Sequence, residues 1–447
     1  MHPLDIGRKP ASVICHAVRV QGCRRSHPTR STALNIPLPS RHLYAAGHFV
    51  RTLAWSFVDL TLAYYLHTRL AMPAPRIGQL LAASFTYSSV LDLLMAAAFA
   101  RVRDQHRLAL RLQMIGGLGT AACACLLFLP FPPATQEQTY WQLLGCSLAF
   151  RTFYALYDVA QNALTSLLPE DDVDAERYVA LHATAIPCAK LCVAAAMFAV
   201  IGERSGMRHA AELWICMVIA LLIVLTCMPL ACNVGRPPPV LATRAERSGV
   251  RRAPLLPLLP VLMATAVEIV LVGVLARLFP FASHGAALTL ALVIGMLAAR
   301  PGVAWLQRRL GSEARVILLL SGSGIVGAVA LLEIASALPA ILCATLHGFS
   351  RAGTGVIKWR RTARIARLHA CRSGHQVDLS CFALLTGTMK LALGLSSLLA
   401  TALFPGVQVH APATVALVVV MLIVGSILST VLLTLPYRQR APIGMPP

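Results

Sequence analysis

Between Tyr140 and Arg177 a long apolar stretch contains Ser147, Arg151, Tyr154, Asp158, Gln161, Asn162 and Thr165. At 3.6 residues per turn these polar residues share one stripe of a helix. The other positions are Leu, Ala, Phe, Val and Cys. Such a helix suits lipid over most of its surface and a wet interior along one side. A charge at bilayer depth costs from ~3 kcal/mol upward, so Arg151 and Asp158 are expected to face a cavity or each other. The plain alternative is an Arg–Asp pair locking two helices. Intramembrane ionisable groups usually mark a solute path, which favours the functional reading.

Other apolar stretches carry isolated charges of the same kind. Asp92 has Ser88 one turn before it, and Lys390 lies near the C-terminal end of the chain. Sodium prefers several hard oxygen ligands, so one carboxylate and one hydroxyl point to a proton as the coupling ion rather than sodium. A fixed Asp92–Lys390 ion pair is the alternative. His48, Thr52, Trp55 and Asp59 share another stripe, where Trp55 offers a flat surface for a sugar ring or simple core packing. Lys190, Glu268, His347 and Arg351 are further charged or titratable groups in apolar surroundings. No Walker loop, dinucleotide fingerprint or zinc-protease motif is present, and the chain reads as a non-enzyme without a cofactor or metal site.

The elements that must position these groups follow from composition. The 447 residues are 57% apolar and only 13% charged, about half the charged share of a soluble protein. Twelve stretches can each cross a ~30 Å hydrocarbon core, roughly at 43–66, 77–100, 108–131, 140–168, 179–201, 210–232, 255–279, 283–306, 315–335, 337–357, 379–404 and 411–435. The net charge of +21 lies mostly in the links after even-numbered spans, as in Arg101, Arg103 and Arg107 or Lys358, Arg360, Arg361 and Arg364. The positive-inside rule accounts for it, so lipid and not nucleic acid is the expected partner, with both termini cytoplasmic in a plasma membrane. The acidic link at 170–177 is the exception, and is expected to be a loop that can latch against the basic links. The thirteen Cys read as small buried hydrophobes. The expected organisation is a basic tail at 1–42, a six-helix bundle at 43–232, a central loop at 233–253, a second six-helix bundle at 254–435 and a short tail at 436–447. The fold class is an all-α polytopic membrane protein of twelve transmembrane helices in two six-helix pseudo-repeats, the architecture of the major facilitator superfamily (MFS fold).

Several motifs resemble the glycoside–pentoside–hexuronide:cation symporter branch of that superfamily, the melibiose-carrier type. Tyr154-Ala-Leu-Tyr-Asp158 is similar to the branch's Tyr…Asp-Ile-Pro pattern, and Asp174-Ala-Glu176-Arg177 to its Asp-x-Glu-Arg. Asp92-Leu-Leu-Met95 resembles its Asp-Pro-Leu-Met, and Tyr44-Ala-Ala-Gly47-His-Phe49 its opening segment, with Arg51 on a basic position. Lys390 and Gly394 are similar to its Lys-x-x-x-x-Gly segment, although the spacing here is one residue shorter. The resemblance implies that Asp158, beside Tyr154, accepts solute hydroxyls, that Asp92 sits at a cation site and that Lys390 balances the acids. The chain departs from the pattern at Ser88, Leu91, Leu93, Val159 and Asn162.

The expected function is therefore cation-coupled symport, proton favoured over sodium, of a sugar-like or other small polyhydroxylated solute by a monomer working through alternating access. Asp158, Tyr154, Gln161, Asn162, Arg151 and Trp55 are the expected solute residues, and Asp92, Ser88 and Lys390 the coupling residues. Efflux or movement of a lipid-like solute on the same scaffold, and a carrier that has lost transport, are the alternatives.

Overall fold

The structure, a computed structural model, describes residues 40–102, 104–129, 135–169, 172–202, 208–233, 255–273, 285–333, 337–373, 375–403 and 412–435. The chain divides into two units, Met1–Pro37 and Leu38–Pro447, and the described residues all belong to the second. The expected central loop and both tails lie almost wholly outside the described residues.

Among the described residues twelve helical segments follow one another: α1 (Ser40–Thr68), α2 (Ala74–Phe99), α3 (Gln105–Leu127), α4 (Gln136–Leu167), α5 (Asp172–Gly202) and α6 (Arg208–Asn233), then α7 (Leu255–Val267, continued by a π-helical turn Glu268–Val272), α8 (Gly285–Leu310), α9 (Glu313–Glu333), α10 (Ala337–Ser373), α11 (Asp378–Leu403) and α12 (Pro412–Thr434). Among the described residues there is no strand. Nine of these helices are long and apolar enough to cross a membrane. The three that fall short, α1, α4 and α10, carry His48, Arg51 and Asp59, then Arg151 and Asp158, then Arg351 and Lys358. α1 and α4 supply Arg51 and Asp158 to the site described below, and α10 supplies Arg351 and Lys358 to a second charged cluster.

Local chemistry sets the helix ends. Thr135 and Gln138 form a capping box at the start of α4, each side chain bonding the other's backbone N–H. Asp104 caps α3 by accepting from the Arg107 amide at 3.0 Å.

Two boundaries and the burial of one helix differ from the sequence expectation. α5 begins at Asp172, so residues 172–177 of the expected link are helical, and the Asp174 carboxylate in the first turn complements the helix dipole. Asp174 there meets Arg41, at the start of α1, at 2.8 Å. α10 runs to Ser373, so the basic residues from Lys358 onward are helical, because no Pro or Gly interrupts the chain there. The second half of α4 is not lipid-facing either. From Tyr154 to Leu167 every residue except Leu156 is buried, because α1, α3 and α11 all pack against it.

Within the halves, α3 lies along α4 and α8 along α10. The α8–α10 crossing needs bare backbone: a Cβ at Gly348 would collide with the Leu292 carbonyl, and one at Gly295 with that of Thr345. Between the halves, α2 lies along α11 and α5 touches α8. Ser89 donates to the Gly387 carbonyl at 2.7 Å. A Cβ at Gly387 would come within 3.1 Å of that of Asp92.

Candidate functional site

The α2–α11 contact brings the charges together. Lys390 Nζ lies 2.7 Å from Asp92 Oδ2 and 3.3 Å from Asp158 Oδ2. Arg51 Nη1 donates to the other Asp158 oxygen, as does Asn162 Nδ2 at 2.9 Å. Arg51 also reaches His48 Nδ1 at 3.2 Å. Asp92 is fully buried, and Asp158, Arg51 and Lys390 are each at most 5% exposed. Two carboxylates and two cations, from α1, α2, α4 and α11, thus form a balanced cluster spanning both halves. Balance matters physically, because an ion buried without a partner costs several kcal/mol.

The remaining expected site residues divide. Tyr154 is buried one turn before Asp158, with Lys390 Nζ 5.7 Å from its ring centre. Trp55 packs against Tyr154 at 4.8 Å between ring centres. Gln161 is buried and donates to the Tyr44 carbonyl at 3.1 Å, so its amide joins α4 to α1. Ser88 is buried with its hydroxyl unpartnered among the described residues and does not bond Asp92. The hydroxyl that approaches Asp92 is Thr386 of α11. Arg151 does not meet Asp158. Its guanidinium carbon lies 4.3 Å from the Trp55 ring centre and 4.2 Å from that of Phe85. The Arg–Asp pair locking two helices, the alternative reading of the sequence, is made here by Arg51 of α1 and not by Arg151. An α-helix separates positions 151 and 158 by about 10 Å, whereas Arg51 enters from the side at the level of Asp158.

A second charged cluster lies within the C-terminal half. Glu268, the first residue of the π-helical turn, meets Lys358 at 2.7 Å and Arg351 at 4.0 Å. Thr354 and Ser429 donate to it at 3.3 and 3.4 Å. π-Helical turns often mark functional positions in helices. Sequence reading found Glu268 and Arg351, but it placed Lys358 in a link and did not single out Thr354 or Ser429. The signal for Lys358 was the unbroken run after Arg351, where i+3 and i+7 put Thr354 and Lys358 on the same face.

Aromatic contacts tie the halves together near the N-terminal ends of α1, α5 and α11. The His48 and His182 rings lie 4.4 Å apart, His182 and Trp359 4.5 Å apart, and Trp359 stacks on Phe382 at 5.5 Å. At the same end Arg300 of α8 donates to Thr184 of α5 at 2.8 Å, and the Leu379 amide donates to Gln105 of α3 at 3.0 Å. His182 carries no signal in the sequence, since a lone ring in an apolar helix looks like packing, and Trp359 lies in the basic run that reads as a link.

Twelve helices in two six-helix halves, with a charged cluster shared between them, define a polytopic transporter of the major facilitator fold. The chain belongs to the MFS/sugar transport protein family, whose model matches residues 43–443. No curated protein sequence matches the chain. Solved structures share the fold. The xylose transporter XylE from E. coli, in a partially occluded inward-open conformation, superposes with TM-score 0.59 at 13% identity over 87% of this chain and 95% of its own. A bacterial homologue of the iron transporter ferroportin in an outward-facing state gives 0.60 at 12% identity, over 89% and 98%. A bacterial homologue of the human drug peptide transporters PepT1 and PepT2 gives 0.58 at 10%, over 88% and 96%.

Proposed function

We propose that the protein is a secondary active transporter that carries a small polyhydroxylated solute together with a proton by alternating access. The observation that carries this reading is Lys390, whose ammonium is shared by Asp92 and Asp158 across the interface of the halves. A cation with two acidic partners has two resting places. When Asp92 takes a proton it no longer holds Lys390, which then pairs with Asp158 alone. A solute whose hydroxyls donate to Asp158 and accept from Lys390 holds the ammonium there, away from Asp92, and so favours retention of that proton. Solute and proton thereby bias one ion-pair equilibrium, and the interface between the halves feels the outcome.

Asp158, Tyr154 and Asn162 form the hydroxyl-recognising side in this reading, with Trp55 as the apolar wall. Proton coupling is favoured over sodium because Lys390 already occupies the Asp92 carboxylate and Ser88 does not turn toward it. A membrane orientation with the basic links in the cytoplasm puts the His48–His182–Trp359 contacts at the cytoplasmic end, as an inner gate.

The test is solute counterflow in proteoliposomes over a panel of polyols and sugars, with and without a pH gradient. One or more solutes should exchange, and solute addition should alkalinise the outside of cells expressing the protein. Asp158→Asn should abolish both signals at unchanged protein abundance. Loss of abundance in parallel with activity would make Asp158 a structural residue only.

A further inference from the structure

Arg151 is among the largest fully buried side chains in the protein, and its Nε, Nη1 and Nη2 atoms have no hydrogen-bond partner among the described residues. A guanidinium stays charged, with five N–H donors directed around its edge. Trp55 and Phe85 cover it within cation–π distance but cannot accept from that edge. No carboxylate of the described residues lies within ion-pair distance of it, and Asp59, partly exposed, acts on it only through its field. The same field reaches Lys190 of α5, which in turn senses Arg351 of α10. Among the described residues Asp59 is thus the acid whose field reaches both Arg151 and Lys190, while Arg351 is paired with Glu268.

We propose that Arg151 is the anion-recognising element of the solute site. Its planar fork, oriented by Trp55 and Phe85, takes an oxyanion group carried by the solute in bidentate fashion. This rests on the transporter reading and adds a charge to the solute class. Asp158 already accepts from Arg51 and Asn162 and pairs with Lys390, and its own charge repels an anion. The solute therefore lies along α4 with its anionic end at Arg151 and its hydroxyls toward Asp158, two helical turns or about 10 Å away.

The full chain in lipid nanodiscs is titrated with D-gluconate, sulfate and phosphate, and with sorbitol as the neutral counterpart of gluconate, at equal ionic strength. At least one of the three anions should raise the unfolding temperature saturably, and sorbitol should not. Which anion does so separates a carboxylate group from sulfate-like and phosphate-like ones. R151M should lose the anion effect while unfolding, without anion, no lower than the natural protein. R151K should weaken anion binding by at least about tenfold, since a lysine cannot reproduce the fork. The proposal is overturned if no anion stabilises the natural protein, if the effect survives in R151M, or, should R151M not purify, if it is undiminished in R151K. Counterflow of a neutral polyol by R151M at the natural rate, with no anion effect in either protein, would overturn the anion site and leave the transporter reading intact. Absence of counterflow for every solute in the natural protein would remove that reading, and the anion site with it.

Discussion

Arg51 of α1 donates to Asp158 of α4, and Lys390 of α11 approaches the same carboxylate from the other half. One acid is thereby held by a cation of its own half and by one that crosses the interface. The proposed carrier mechanism turns on this inequality, because only the second contact changes if the halves move.

The Asp92–Lys390 pair should behave as a coupled unit. Removing one partner leaves a buried charge, which costs about 3–5 kcal/mol, while replacing both restores balance. Lys390→Met and Asp92→Asn should each lower the unfolding temperature of the purified protein. The double variant should recover most of the loss. Additive losses would show that the two residues do not act on each other.

Coupling should be separable from binding. Asp92→Asn should retain solute counterflow yet lose accumulation driven by an imposed pH gradient. A sodium gradient should drive no accumulation in the natural protein. Sodium-driven uptake that vanishes in Asp92→Asn would assign the carboxylate to sodium instead.

The end of the bundle joined by Thr184 and Arg300 must open if the halves rock. Cysteines at these two positions, bridged by a short bifunctional reagent in a background lacking other reactive thiols, should reduce transport at least about tenfold; gating steps of this kind set the rate of many such cycles. Reduction of a cleavable reagent should restore it. Full activity in the bridged protein would mean that this contact does not part during the cycle.

Gly348 tests the packing of the C-terminal half. Gly348→Ala places a methyl against the Leu292 backbone, where the neighbour cannot rotate away. Overpacking of this kind costs about 1–3 kcal/mol, so the unfolding temperature should fall. Gly355→Ala, on the same helix with open space beside it, should have little effect.

The Glu268 cluster should matter for the C-terminal half alone. Glu268→Gln leaves Lys358 without its carboxylate partner and Arg351 without its nearest acid. Stability should fall by about 3–5 kcal/mol, as for other broken buried pairs. Adding Lys358→Met should recover part of it in the same unfolding measurement.

The sequence determined where the helices fall, and hydropathy by itself marks nine of the twelve as able to cross, because lipid forces every crossing segment to satisfy its backbone as a helix. The period of 3.6 determined that Asp158, Tyr154 and Asn162 share a face, since that depends only on spacing. Tertiary structure alone decided which cation each acid meets. Arg51 and Arg151 look equivalent as single basic residues in apolar helices, yet one pairs with Asp158 and the other lies between two rings. The difference comes from how α1, α2 and α4 cross, and crossing geometry is set by side-chain packing over many residues at once. The reach of α10 past Lys358 and the approach of Lys390 to both acids are of the same kind. Each depends on what lies opposite, which a linear pattern does not contain.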